Sequence, residues 1–275
     1  RKNFFSTWLN TFFTLFFIFI FYLILPPIFQ WAILDAVWTG EDRTACEWYD
    51  ENNIKYKAGA CWLYIKVWFN FYSYGFYPDA EQWRVNLTFI ILAISIALFF
   101  IPNIKKKHYI GIFLFVGYPI IAFFLLSGNE TLGLEHMPTH KWGGAFLTLL
   151  LGGIGIVFAL PLGILLALGR RSQLPVVRAL SIAFIEFWRG IPLITVLFFA
   201  AVMFPLFMPP GVDIDTLLRC IVGLTIFGGA YMAEVVRGGL QALPKGQYEA
   251  AQAVGLGYWR VMALVILPQA LRIVI

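Results

Sequence analysis

The chain has 275 residues, 60% of them hydrophobic, 18% aromatic and 13% charged, with a formal net charge of +5. This composition excludes a water-soluble core and specifies a polytopic membrane protein, in which the basic surplus matters through its distribution over loops and not through its sum. No nucleic-acid-binding motif accompanies the positive charge, so nucleic acid is not expected as a partner.

Residues 3–34 carry no charge and exceed the roughly 20 residues that a bilayer requires. The run is too long and too aromatic for a signal peptide and lacks a small-residue cleavage site, so it reads as an uncleaved first span with Arg1 and Lys2 on the cytoplasmic side. Asp35–Arg84 is polar, aromatic and acidic, as suits a small extramembrane cap. Cys46 and Cys61 both lie there with 14 residues between them. Two readings stand: a disulfide that staples a cap too small to own a core, if the cap faces an oxidising periplasm, or two reduced thiols. Cys220, at the edge of a later span, reads as packing.

Spans two and three are expected at about 85–101 and 109–126, joined by a short loop that contains Lys105, Lys106 and Lys107, a cytoplasmic marker. Beside it His108 reads as an interfacial residue. Glu130, His136 and His140 fall in the next loop without ligand-like spacing, so no metal site is expected. Residues 143–168 form an uncharged fourth span that ends at Arg170 and Arg171. Its Gly152-Gly153-x-Gly155 cluster lacks Walker spacing and is expected to allow close helix packing.

Residues 172–189 read as a semi-polar connection, followed by a fifth span at about 191–208 and a sixth at about 217–235, with Arg219 snorkelling at the outer end of the sixth. Glu186 and Arg189, and likewise Glu234 and Arg237, are spaced i, i+3 and can pair on a helix. The alternative for the first pair is contact with a zwitterionic substrate or gating of its path. Thr195, Thr225 and Tyr231 are polar enough to line such a path, and each can equally be a helix-packing hydrogen-bonder.

Between the sixth span and an apolar run from Tyr258 to Ile275 lies Glu249-Ala250-Ala251, three residues, Gly255, nine residues and Val265-Ile266-Leu267-Pro268. Pro244 and Gly246 are expected to break the preceding element. Glu249 is expected in the first turn of a short surface helix over Gln247–Val254, and Gly255 at its left-handed C-terminal position. Alanine side chains leave the backbone of such a helix open to a docking partner; simple small-residue packing is the bland alternative. With 1–2, 103–108, 169–189 and 236–272 inside and Glu234 at the border, basic residues number 13 inside against 7 outside, and acids 3 against 12. That bias puts the N-terminus and the surface helix in the cytoplasm.

The Glu-Ala-Ala, Gly, Val-Ile-Leu-Pro pattern resembles the cytoplasmic signature of the membrane-spanning subunits of ABC importers, with Val265 where the family has Ile. The stretches from Ala230 to Gly239, from Pro244 to Gln247 and from Phe187 to Leu193 resemble the polar amino-acid branch of that family, nearest to broad-specificity L-amino-acid permease subunits of Gram-negative bacteria. The likeness covers residues 142–275. It implies an all-α bundle of the type I ABC importer kind, with residues 1–141 as an extension of three spans and a periplasmic cap at about 35–84, and with further helices beyond Ile275. It also implies a multi-pass protein of the bacterial inner membrane that imports amino acids by alternating access.

The partners implied are two cytoplasmic ATPase subunits that bind ATP and Mg, a second permease chain that is a paralogue, and a periplasmic amino-acid-binding protein. Gly246, Gln247, Glu249, Ala250, Ala251, Gly255, Leu267 and Pro268 would form the ATPase-coupling region, and Glu186, Arg189, Thr195, Thr225, Tyr231 and Glu234 the substrate path. No catalytic residue and no cofactor of its own are expected in this chain. An ion-coupled secondary transporter or channel is the alternative, with Glu186 and Glu234 as its acids. A membrane-embedded enzyme is the weakest reading, because no nucleophile, metal cluster or acid pair lies within one span.

Overall fold

A computed structural model describes residues 4–41, 43–46, 48–49, 55–56, 59–102, 104 and 106–274. Arg1, Lys2, Lys105 and Ile275 lie outside the described residues. The chain divides into two compact units, residues 1–73 and 74–275.

In the first unit, α1 (Trp8–Phe29) runs into a π-helical turn at Gln30–Leu34, which gives an apolar helix long enough to cross a membrane. Thr7 caps it by accepting from the Asn10 amide. Trp48–Tyr49 (β1) and Lys55–Tyr56 (β2) pair antiparallel, with Trp48 opposite Tyr56. Two short helices follow, α2 (Trp62–Val67) and α3 (Phe69–Tyr74). Cys46 and Cys61 are joined by a disulfide, their Cα atoms 5.8 Å apart.

In the second unit, α4 (Gln82–Phe100) starts three residues earlier than the charge pattern predicts, because Arg84 is not part of the cap: it is buried inside the helix. Its guanidinium pairs with Glu81 at 2.7 Å and donates from Nη1 to the Glu135 carbonyl at 2.8 Å. The third span is α5 (Lys107–Ile112) and α6 (Tyr118–Ser127) joined by a π turn. The fourth is α7 (Gly144–Arg170), whose two ends anchor two separate apolar clusters. One gathers Tyr77, Val85, Leu126, Met137, Trp142 and Phe146, and so packs the second and third spans with the fourth. The other gathers Ala167, Leu168, Ile185, Val236, Leu240, Ala251, Ile266 and Ala270. Phe146 and Ala167 are about 30 Å apart along α7 at 1.5 Å per residue, about one bilayer core. The start of the family likeness at residue 142 thus falls inside a compact unit, not at its edge.

The expected connection at 172–189 is instead a helix, α8 (Pro175–Gly190), with Pro175 at its first position. It bends by 99° into the fifth span, which opens with α9 (Leu193–Phe198). Pro192 supplies the break, since it cannot donate to the helical ladder. The sixth span, α10 (Thr216–Ala242), runs seven residues past its predicted end and is capped by Asp215, which accepts from the Leu217 and Leu218 amides. After it come α11 (Lys245–Ala253), α12 (Tyr258–Arg260) and α13 (Leu267–Val274).

Of the glycines expected to allow close packing of α7, Gly155 is buried where a methyl group would stand 3.5 Å from Leu224 Cβ of α10, and two other glycines come closer still. A methyl group at Gly163 would stand 2.6 Å from Met232 Cβ, and one at Gly229 2.6 Å from Leu162 Cδ2. At Gly152 and Gly153 nothing would lie within 4 Å. The contact surface of α7 toward α10 therefore takes in Gly155 from the glycine cluster and Gly163 about two turns on, and leaves Gly152 and Gly153 outside it.

π-helical turns at Phe113–Gly117, Phe199–Met203 and Val261–Ile266 each end two residues before a proline, namely Pro119, Pro205 and Pro268. A proline ring collides with the carbonyl four residues back and offers no N–H, and a one-residue bulge widens the helix enough to accommodate it. Pro268 therefore sits within a continuous helical path, just past the turn that accommodates it.

Candidate functional site

α11 is set by its two ends. Pro244 is its N-cap in an extended conformation, so Gly246 lies inside the helix instead of breaking the preceding element. Glu249 falls in the second turn and not the first, because the helix begins two residues before the predicted start. At the other end Gly255 has φ +79°, its N–H donates to Gln252 O at 2.9 Å, and the Leu256 N–H reaches back to Ala251 O at 3.3 Å. Those two bonds make a Schellman closure, which needs a left-handed residue at Gly255.

The inner face of α11 is held at several points. Ala251 is 5% exposed within the cluster that contains Val261 and Ile266. The Tyr248 hydroxyl donates to Leu240 O at 3.2 Å and accepts from Arg171 Nη1 at 2.9 Å, with the guanidinium also over the Tyr248 ring. Gln269 Nε2 donates to Gln247 Oε1 at 3.2 Å. Leu267 packs on the same cluster, and Pro268 is exposed. The outer side presents Lys245, Gly246, Glu249, Ala250, Gln252 and Ala253, all exposed, with small residues at 246, 250 and 253. The result is a helix fixed to the end of the bundle with an exposed outer surface in which polar side chains flank a strip of small residues.

Beside it lies a charge network from three helices. Glu234, only 16% exposed at its side chain, accepts from Arg170 at 2.6 Å and Arg237 at 2.6 Å, with Arg189 at 3.5 Å. Arg170 also reaches Glu186 at 3.0 Å, while the Glu186–Arg189 pair stands at 4.0 Å. Tyr231 joins through its hydroxyl, which donates to Arg189 O at 3.3 Å, and through its ring beneath the Arg189 guanidinium. Of the proposed path residues, Glu186, Arg189, Tyr231 and Glu234 are thus brought together. Among the described residues, the side chains of Thr195 and Thr225 do not enter this network. Arg170, its central cation, was missed as a site residue; its position at the end of a span was the visible signal, but its partners lie 16 and 64 residues away.

Arg219 is half-buried at the outer end of the sixth span, where Nη1 donates to Ala200 O at 3.1 Å and Ala201 O at 3.0 Å, carbonyls of the π turn that precedes Pro205, and Nη2 donates to Thr216 Oγ1 at 2.7 Å.

Apolar spans, a short surface helix fixed between two of them and a network of paired charges at the same end define a membrane-embedded transport subunit. Residues 159–275 match the family described as binding-protein-dependent transport system inner membrane component. Along its whole length the chain is 50% identical to the inner membrane amino-acid ABC transporter permease protein YhdY of Escherichia coli, covering 72% of that protein. It is 36% identical, over 99% of its length and 75% of the relative's, to the glutamate/glutamine/aspartate/asparagine transport system permease protein BztC of Rhodobacter capsulatus. A solved structure described as an amino acid ABC transporter with histidines aligns with 46% of this chain and 58% of its own at 30% identity and a TM-score of 0.40. The chain belongs to the binding-protein-dependent transport system inner membrane component family, as a multi-pass permease subunit.

Proposed function

We propose that this chain is the membrane-spanning subunit of an ATP-driven importer that moves amino acids from periplasm to cytoplasm by alternating access. The observation that carries the coupling is α11, locked inward by Tyr248 and Ala251 and exposed outward at Gly246, Glu249, Ala250 and Ala253. A helix held so firmly transmits a push on its outer face to α7, α10 and α13, the elements to which it is tied. ATP and Mg reside on two ATPase subunits, whose closure moves α11; differential contact with their two states is what drives the membrane subunits between inward- and outward-open forms. The cargo class is supported by what the relatives are named for carrying. A second, paralogous permease chain completes the core, a periplasmic binding protein delivers the amino acid, and the N-terminus is cytoplasmic.

The ion-coupled alternative draws no support from Glu186 and Glu234, since arginines engage both carboxylates. The test is purification in mild detergent with mass spectrometry of what accompanies the chain. Recovery of an ATPase and a second permease supports the proposal; isolation of the chain alone, under conditions that keep known complexes intact, overturns it.

A further inference from the structure

The second unit holds a cavity of about 320 Å³ lined by Arg170, Arg171, Arg178, Ile182, Arg237 and Gln241. Four arginines line it, Arg171 and Arg178 of them exposed to solvent, and among the described residues no carboxylate lines the wall. The surrounding network leaves the charge uncompensated: Arg170, Arg171, Arg178, Arg189 and Arg237 are set against only Glu186 and Glu234. Glu234 is turned to Arg170 and Arg237 at 2.6 Å, and Arg171 is taken up with Tyr248. The side chain of Arg178 makes no hydrogen bond or ion pair among the described residues. It also sits at the fourth position of α8, whose N-terminus has no side-chain cap and no acid in its first turn. A cation near the positive end of a helix dipole, facing other cations, is electrostatically uphill until an anion joins it.

The level of the cavity points to the source of that anion. Its wall is built from the last residues of α7, the last two turns of α10 and the start of α8, where two membrane spans end. Next to Arg178, α8 and the residue before it expose Leu174, Val176 and Leu180 at 64, 67 and 66%. Apolar side chains beside guanidinium groups match the boundary between acyl chains and headgroups, and basic pockets between membrane helices suit anionic headgroups. We propose that this cavity binds the phosphate of an anionic phospholipid headgroup, with Arg178 as its uncommitted ligand. The proposal goes beyond the transport reading and needs only that this end of the unit lies at the membrane surface.

The purified complex, delipidated in mild detergent, is titrated with phosphatidylglycerol or phosphatidylcholine and bound lipid is read by native mass spectrometry. Wild type should prefer phosphatidylglycerol. Arg178→Gln should weaken that binding roughly fivefold, and Arg178→Lys should retain most of it. Competition by millimolar inorganic phosphate, or uptake of phosphate without lipid, would keep the anion site but overturn its assignment to a lipid in favour of a free phosphate. An unchanged preference in Arg178→Gln overturns the proposal, as does uptake of anionic lipid only after the ATPase is stripped away, which would mean that a protein surface fills the cavity. Neither ATP nor amino acid is present, so failure here is independent of failure in coupling.

Discussion

Arg170 Nη1 lies 2.6 Å from Glu234 Oε1 although 64 residues separate them, and the same nitrogen reaches Glu186 at 3.0 Å. One guanidinium therefore ties α7 to α8 and α10, and Glu234 is the shared anion of three arginines. Glu234→Gln should cost about 1–3 kcal/mol, because it strands cations that are only partly solvated. Arg189→Gln, whose ion-pair contacts are 3.5 and 4.0 Å and more exposed, should cost less than about 1 kcal/mol. Thermal unfolding in detergent checks the order; equal losses would remove Glu234 from its central position.

Local spacing made part of this network legible. The i, i+3 rule points to Glu234–Arg237, which is short at 2.6 Å, and to Glu186–Arg189, which is loose because Arg170 competes for Glu186. Arg170 itself was illegible as a partner, since nothing in a linear pattern links positions 170 and 234. The membrane spans were legible because uncharged runs of bilayer length have no other stable home. α8 was not: three charges interrupt its hydropathy, and its apolar residues follow a helical period that only its packing through its own Ser181 and Ile185 makes evident. For α11, the glycine that ends the helix was readable, but its start was misplaced because Pro244 acts as the cap that opens the helix.

Glu249→Lys should leave the chain inserted and folded while the ATPase no longer co-purifies, since Glu249 is exposed and makes no hydrogen bond or ion pair among the described residues. Ala251→Leu should do the reverse first, destabilising the fold by about 1–3 kcal/mol through overpacking of a site 5% exposed. Co-purification and thermal melting read together separate the two faces. Full ATPase recovery with Glu249→Lys would sink the coupling role.

Gly255→Val should destabilise the end of α11 by about 1–2 kcal/mol or more through backbone strain at φ +79° and not through collision, since nothing lies within 4 Å of where a Cβ would stand. Gly255→Asn should recover most of the loss because Asn tolerates the left-handed region. If Asn is as damaging as Val in melting and ATPase recovery, the effect is steric and the assignment of Gly255 fails.

Cys46 and Cys61, 15 positions apart, close a loop whose cross-link is worth about 3 kcal/mol in the chain-entropy account. Protein taken from the membrane with free thiols blocked should shift in mobility on reduction, and Cys61→Ser should abolish the shift. Absence of any shift in wild type would mean that the thiols are reduced in the cell.

Arg219 and Pro205 form a compensating pair across two helices: the proline removes one backbone donor from the turn that contains Ala200 and Ala201, and the guanidinium donates to both of those carbonyls. Arg219→Leu should therefore cost about 1–3 kcal/mol by stranding carbonyls in a water-poor setting. In a Pro205→Ala background the restored N–H can serve one of them, so the same arginine change should cost markedly less. A double-mutant cycle on thermal stability measures this coupling directly. Additive losses would show that Arg219 stabilises the fifth and sixth spans by some route other than the carbonyls of the turn before Pro205.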